Sequence, residues 1–133
     1  MHIKSYYTGD LRTEARHLKS DTQIITDAPV DNHGKGKSFS PTDLVAGALT
    51  SCMMTIMGIE ANKLGIDIRG ISAETTKIMQ ADPRKISKIR IAFSWPTCSL
   101  SDEHIQHLKQ KALTCPVALS LSEDLTQEVS FDF

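Results

Sequence analysis

The stretch from Ser40 to Gly65 constrains this chain more than any other part of it. Ser40 is a good helix N-cap, Pro41 suits the first helical position, and Asp43 stands three residues after the cap. Asp43 can return a bond to the cap backbone, a variant of the capping box, and its charge complements the helix dipole. The pattern predicts a helix from Pro41 to about Lys63, stopped at Gly65. Its first two-thirds are apolar on nearly every face, with Leu44, Val45, Leu49, Met53, Ile56 and Ile59 spread around the axis. A helix apolar all round is expected to be covered on more than one side. A chain of 133 residues has little material for that, so a second copy of the same chain is the simplest cover.

The rest of the composition sets limits. The length fits one domain spanning 1–133 and is enough to bury roughly two-thirds of the unfolded surface. Lys and Arg number 15 against 16 Asp and Glu, which argues against a general nucleic-acid binder and against an acidic disordered chain. No run reaches the roughly 18 uninterrupted apolar residues of a membrane span, and Met1 to Tyr7 has no signal-peptide core. A cytoplasmic location without a membrane partner is expected, where thiols stay reduced. Three cysteines without framework spacing do not form a disulfide scaffold.

Short β-type runs at 3–8, 13–18 and 22–26, punctuated by Gly9-Asp10 and Ser20-Asp21, predict a small antiparallel meander. The polar, Gly-rich stretch 31–39 reads as a mobile loop. After the long helix, 66–79 and 86–95 predict a hairpin around the turn at 81–84. Ser101 caps a helix through about Leu113, a short third helix covers Cys115 to about Ser122, and Val129, Phe131 and Phe133 alternate as a last strand. Grouped strands and helices in this order give the α+β class.

Two cysteines invite chemistry on different grounds. Cys52 lies mid-helix among apolar neighbours, where a free cysteine commonly packs as a small hydrophobe. Cys115 stands at a helix start directly before Pro116, where backbone N–H groups and the dipole favour a thiolate. Cys98 lies in a loop with no such setting. Cys52 and Cys115 are 63 positions apart, and spacing alone does not bring them together. His104 and His107 sit one helical turn apart beside Glu103, Lys109 and Lys111; a solvated face explains them better than a metal site.

The Ser40-Pro41-Thr42-Asp43-Leu44 helix start with Cys52 in the helix, followed by Thr114-Cys115-Pro116-Val117, resembles the OsmC/Ohr family of organic-hydroperoxide reductases over almost the whole chain. The runs Gly9 to Glu14 and Thr26-Asp27-Ala28-Pro29 resemble a less characterised OsmC-like branch. The resemblance implies an intertwined homodimer with the long helices between subunits. It also implies that no cofactor is needed, that Cys52 attacks a small organic hydroperoxide, that Cys115 resolves the product and that an external dithiol restores the pair. An Arg from the N-terminal strands assists in the family; Arg12 is the best positional match, with Arg16 as the alternative. Studied peroxidases of the family carry Glu directly after the helix-start Pro, paired with that Arg. Thr42 stands there in this chain and cannot form the ion pair. Asp43 is next door, but about 100° further round the helix. This departure leaves open an alternative of another class: a low-turnover dimer that senses redox state or binds an apolar ligand.

Overall fold

A computed structural model describes residues 1–133. The chain forms two compact units, 1–45 and 46–133. The element order is β1 (Ile3–Gly9), β2 (Arg12–His17), β3 (Gln23–Asp27), α1 (Pro41–Lys63), β4 (Ser72–Gln80), β5 (Lys85–Ser94), α2 (Asp102–Leu113), α3 (Pro116–Ser120) and β6 (Thr126–Asp132). The class is α+β, with two separate three-stranded sheets.

The first unit is the expected antiparallel meander, β1-β2-β3. The β1–β2 turn carries Gly9, Asp10 and Leu11 at positive φ, a left-handed run that short polar or glycine residues tolerate best. The β2–β3 register sets Arg12 directly opposite Asp27 and Arg16 opposite Gln23.

The Gly-rich stretch after β3, expected to be a mobile loop, is tied to the strand it leaves. It opens with a 3-10 turn over Val30–Asn32. The amide of Gly36 donates to the Ala28 carbonyl at 3.1 Å, that of Gly34 to the Pro29 carbonyl at 3.0 Å, and Ser38 Oγ to the Ile25 carbonyl at 2.8 Å. Gly34 is required by the close approach: a Cβ there would lie 1.7 Å from the Ala28 carbonyl oxygen.

The helix start reads as its sequence does. Asp43 N–H donates to Ser40 Oγ at 3.0 Å, and Ser40 N–H donates to Asp43 Oδ2 at 2.8 Å, closing the box in both directions. Further along α1, in the second unit, the buried residues are Ala46, Leu49, Met53, Met57 and Ala61. They recur every three or four positions and make one stripe. The sequence suggests cover all round, but Ile59 is exposed, and Cys52, Met54 and Ile56 are half-buried. By length and composition alone α1 could cross a membrane, a description that core helices also meet.

The core of the second unit joins that stripe to β5 and α2. Along β5, Ile89, Ile91 and Phe93 are buried while Arg90 and Ala92 are exposed, the period-two pattern of a strand with one face covered. Fully burying side chains of this size stabilises by roughly 1.5–3 kcal/mol each. From α2, Leu108 and Ala112 complete the core. Thr50 on α1 bonds Thr75 on β4 at 2.6 Å.

β4 begins at Ser72, later than the strand predicted from 66. Gly65 and Gly70 both take positive φ, and Asp67 folds onto Arg69 between them, so 66–71 turns before pairing begins. β5 pairs antiparallel with β4 and parallel with β6. A parallel neighbour cannot be reached by a tight turn and needs a crossover, which α2 and α3 supply. Phe93 stacks on Phe131 across the β5–β6 pair, at 5.1 Å between ring centroids.

Candidate functional site

Two clusters stand out, one in each unit. In the second unit the crossover between β5 and β6 fixes Cys115. Pro116 occupies the first turn of α3 and has no N–H to extend α2. It also biases the residue before it away from helical geometry, and Cys115 is extended at φ −65°, ψ 155°. Its N–H donates to the Ala112 carbonyl at 3.2 Å, its carbonyl accepts from Leu119 N–H at 3.1 Å, and its Sγ accepts from Ala118 N–H at 3.4 Å. The sulfur takes the place of the oxygen that usually caps a helix.

Cys115 is fully buried, and the half-buried Cys52 on α1 is among the groups that act on its thiol. Burial pushes the Cys115 thiol above its ordinary pKa. The Ala118 amide pulls the other way, and the neighbouring Cys52 adds to the rise. This corrects the expectation from the helix start. One short turn of amides does not outweigh the removal of water from the sulfur, so Cys115 is held as the neutral thiol. Cys52, read from its neighbours as a packing residue, is not fully buried and faces another thiol. All three cysteines are free, and Cys98 is half-buried.

A disulfide needs sulfurs about 2.05 Å apart and Cβ atoms about 3.8 Å apart. Cys52 and Cys115 are near enough to influence each other's charge, as such a bond requires of its partners.

In the first unit Arg12 makes a two-pronged bond across the strands to Asp27. Nε donates to Oδ1 at 2.7 Å and Nη2 to Oδ2 at 2.9 Å. The Lys37 amide adds a third donor to Oδ2 at 3.1 Å, and the Asp27 N–H donates to the Phe39 carbonyl at 3.1 Å. Asp27 is 1% exposed, whereas Arg12 is 34% exposed. The bond from Arg12 holds the Asp27 carboxyl below the usual carboxylate range, overcoming the upward push of burial; the Arg12 charge and the Lys37 amide help. The same bond raises Arg12. Arg16 makes a longer contact of 3.2 Å with Asp21, and both side chains are well exposed. Thr42 Oγ1 lies 3.1 Å from Ser40 Oγ at the start of α1.

Sequence reasoning did not assign Asp27 as the acid of Arg12. Its signal was the Thr26-Asp27-Ala28-Pro29 run, an aspartate in a β-type segment where that residue is disfavoured. It also placed His107 on a solvated face. His107 is 40% exposed, and its Nε2 also lies 2.9 Å from Glu60 Oε2, joining α2 to α1.

The family model for OsmC-like proteins matches residues 34–130. Among solved structures, a protein of Psychrobacter arcticus 273-4, described as a candidate osmotic stress induced and detoxification response protein, is 52% identical. The match covers 98% of this chain and 95% of that one, with a TM-score of 0.94. An organic hydroperoxide resistance protein OsmC from Legionella pneumophila is 16% identical, covering 98% of this chain and 95% of that one at a TM-score of 0.77. An OsmC-like protein from Mycoplasma pneumoniae is 18% identical over the same shares, at a TM-score of 0.78. These last two show likeness of fold alone. Among curated proteins none matches the chain.

Proposed function

Because the chain belongs to the family of OsmC-like proteins, we propose that it is a thiol-dependent peroxidase that reduces small organic hydroperoxides with Cys52 and Cys115. The observation that carries this reading is the neighbouring pair of thiols, Cys52 half-buried and Cys115 fully buried with its pKa pushed up by burial and by Cys52. The detoxification role named for the Psychrobacter relative and the hydroperoxide resistance named for the Legionella protein agree with it.

The Cys52 thiolate attacks the distal oxygen of the hydroperoxide. The O–O bond breaks, the alkoxide takes up a proton and leaves as the alcohol, and Cys52 is oxidised to the sulfenic acid. The Cys115 sulfur then gives up its proton and attacks the Cys52 sulfur. The S–OH bond breaks, water leaves and a disulfide forms. An external dithiol supplies the two electrons that return the pair to thiols. Arg12 steadies the thiolate and the departing oxygen. A thiol held neutral until the sulfenic acid forms suits the resolving role, since it does not compete for the peroxide. The working form is a cytoplasmic homodimer.

The test is hydroperoxide consumption with a dithiol reductant, comparing wild type with Cys52→Ser. The variant is expected to fall to background, and equal turnover in both would sink the reading. Thr42 at the position after Pro41 favours a second reading, a low-turnover dimer that senses redox state or holds an apolar ligand. That reading predicts slow peroxide consumption beside a disulfide that forms once and persists.

A further inference from the structure

We infer that Glu60 and His107 are positioning residues for the Cys52–Cys115 pair: their bond ties α2 to α1 and so holds the two cysteines where a disulfide can close. This rests on the reading above, in which the two thiols close a disulfide. His107 Nε2 on α2 lies 2.9 Å from Glu60 Oε2 on α1. An ionised carboxylate only accepts, so the ring nitrogen is the donor. Glu60 stands eight positions after Cys52, and Cys115 stands eight positions after His107. The tie and the thiol pair therefore join the same two segments running in opposite directions, with about 12 Å of α1 between the two links. One link alone lets a helix pivot about it. A second, displaced along the axis, removes the pivot.

Cys115 moves with α2. Thr114 N–H donates to the Lys111 carbonyl at 3.3 Å and Cys115 N–H to the Ala112 carbonyl at 3.2 Å, so the last turn of α2 carries the cysteine. A tilt of α2 away from α1 is passed on to the sulfur. On the far side of Cys115, Gln127 Nε2 donates to the Ala118 carbonyl at 2.9 Å. That bond anchors α3 to β6 and does not reach α1. Lys63, the other partner of Glu60 at 2.7 Å, lies on α1 itself and joins nothing across the helices. Two links on one helix pair reinforce each other, because each lowers the entropy cost of making the other, and the coupling is reciprocal. The tie is therefore worth more in the disulfide form than in the dithiol form, and its loss makes the disulfide easier to reduce.

The experiment measures the reduction potential of the Cys52–Cys115 couple in the full chain carrying Cys98→Ser. The protein is equilibrated in dithiothreitol redox buffers, and alkylated thiols are counted by mass. The parent is compared with Glu60→Ala, Glu60→Gln, His107→Ala, the Glu60→Ala/His107→Ala double variant and Lys63→Ala. Glu60→Ala and His107→Ala are each expected to shift the equilibrium toward the dithiol about tenfold, a rise of about 30 mV for a two-electron couple. The double variant is expected to shift it no further than either single one, since both remove the same tie. Glu60→Gln keeps an acceptor and is expected to shift it less. Lys63→Ala is expected to leave the potential unchanged.

A bond that merely stabilised the fold would be lost equally from both redox forms and would leave the potential unmoved. The parent potential in both Glu60→Ala and His107→Ala would therefore overturn the inference. So would additive shifts in the double variant, or a Lys63→Ala shift equal to that of Glu60→Ala, which would assign the effect to charge. If Glu60→Ala does not fold, Glu60→Gln and His107→Ala, at a side chain 40% exposed, decide the matter. A parent protein that forms no Cys52–Cys115 disulfide in oxidising buffer removes the thiol-pair reading and this inference with it. A disulfide that forms with one potential in every variant removes only the role of Glu60 and His107.

Discussion

At Cys115 two influences on one sulfur oppose each other. The Ala118 amide favours the thiolate, while burial and the Cys52 thiol favour the neutral form and win. On the proposed peroxidase reading this divides the labour: the half-buried thiol would react with solute, and the buried one with its neighbour. Cys115→Ser should leave the first oxidation intact and remove the second step. After one equivalent of hydroperoxide, Cys52 sulfenic acid should accumulate and label with dimedone, while dithiol-driven turnover falls. A Cys115→Ser protein that forms no sulfenic acid adduct and turns over like wild type would show that Cys115 does not resolve. Cys98→Ser serves as the control and should leave both readouts unchanged.

At the scale of elements, the α1–α2 contact and the turn after β3 each rest on a small number of groups. Glu60 on α1 bonds Lys63 at 2.7 Å and His107 on α2 at 2.9 Å. The bond from Lys63, followed by that from His107, lowers its carboxyl from 4.5 to about 2. A carboxyl lowered on folding contributes stability that is fully present above its unfolded value and is lost as pH falls through the folded one. Glu60→Gln should therefore lower Tm at pH 7, and its deficit against wild type should shrink between pH 4.5 and about 2. Thermal melts across that range check it; a deficit independent of pH would mean that packing, not charge, is what Glu60 supplies. In the turn, Gly34→Ala must displace the backbone of Ala28, because the added carbon would fall 1.7 Å from its carbonyl oxygen. A cost of about 1–3 kcal/mol is expected in denaturant unfolding, the range for forced overpacking.

For the molecule as a whole, large apolar side chains remain uncovered. Ile59 on α1 is 46% exposed, Leu119 on α3 is 73% exposed, and Ile3, Tyr6 and Tyr7 on β1 are each more than half exposed. Exposed apolar side chains of this size are candidates for cover by a partner in the dimer proposed above. A second copy covering them is expected to make the protein a dimer at micromolar concentration in light-scattering chromatography, with an interface of about 1,200–2,000 Å² or larger. Ile59→Lys should shift that equilibrium toward monomer. A monomeric wild type under these conditions would rule the dimer out.

The local elements could be read from the chain because their causes are local. The Ser40–Asp43 box, the Gly65 stop, the Ser101 cap and the alternation of Ile89, Ile91 and Phe93 each depend on residues a few positions apart. The family pattern named Cys52, Cys115 and Arg12 without locating them. Tertiary structure decided what depends on distant neighbours: that α1 buries one stripe within the chain, that the two thiols meet across 63 positions, and that β2–β3 register gives Arg12 an acid from a strand. It also reversed the sign of the local argument at Cys115. A helix start favours charge through its own few amides, but desolvation is set by everything packed around the sulfur, and no short stretch of sequence contains that information.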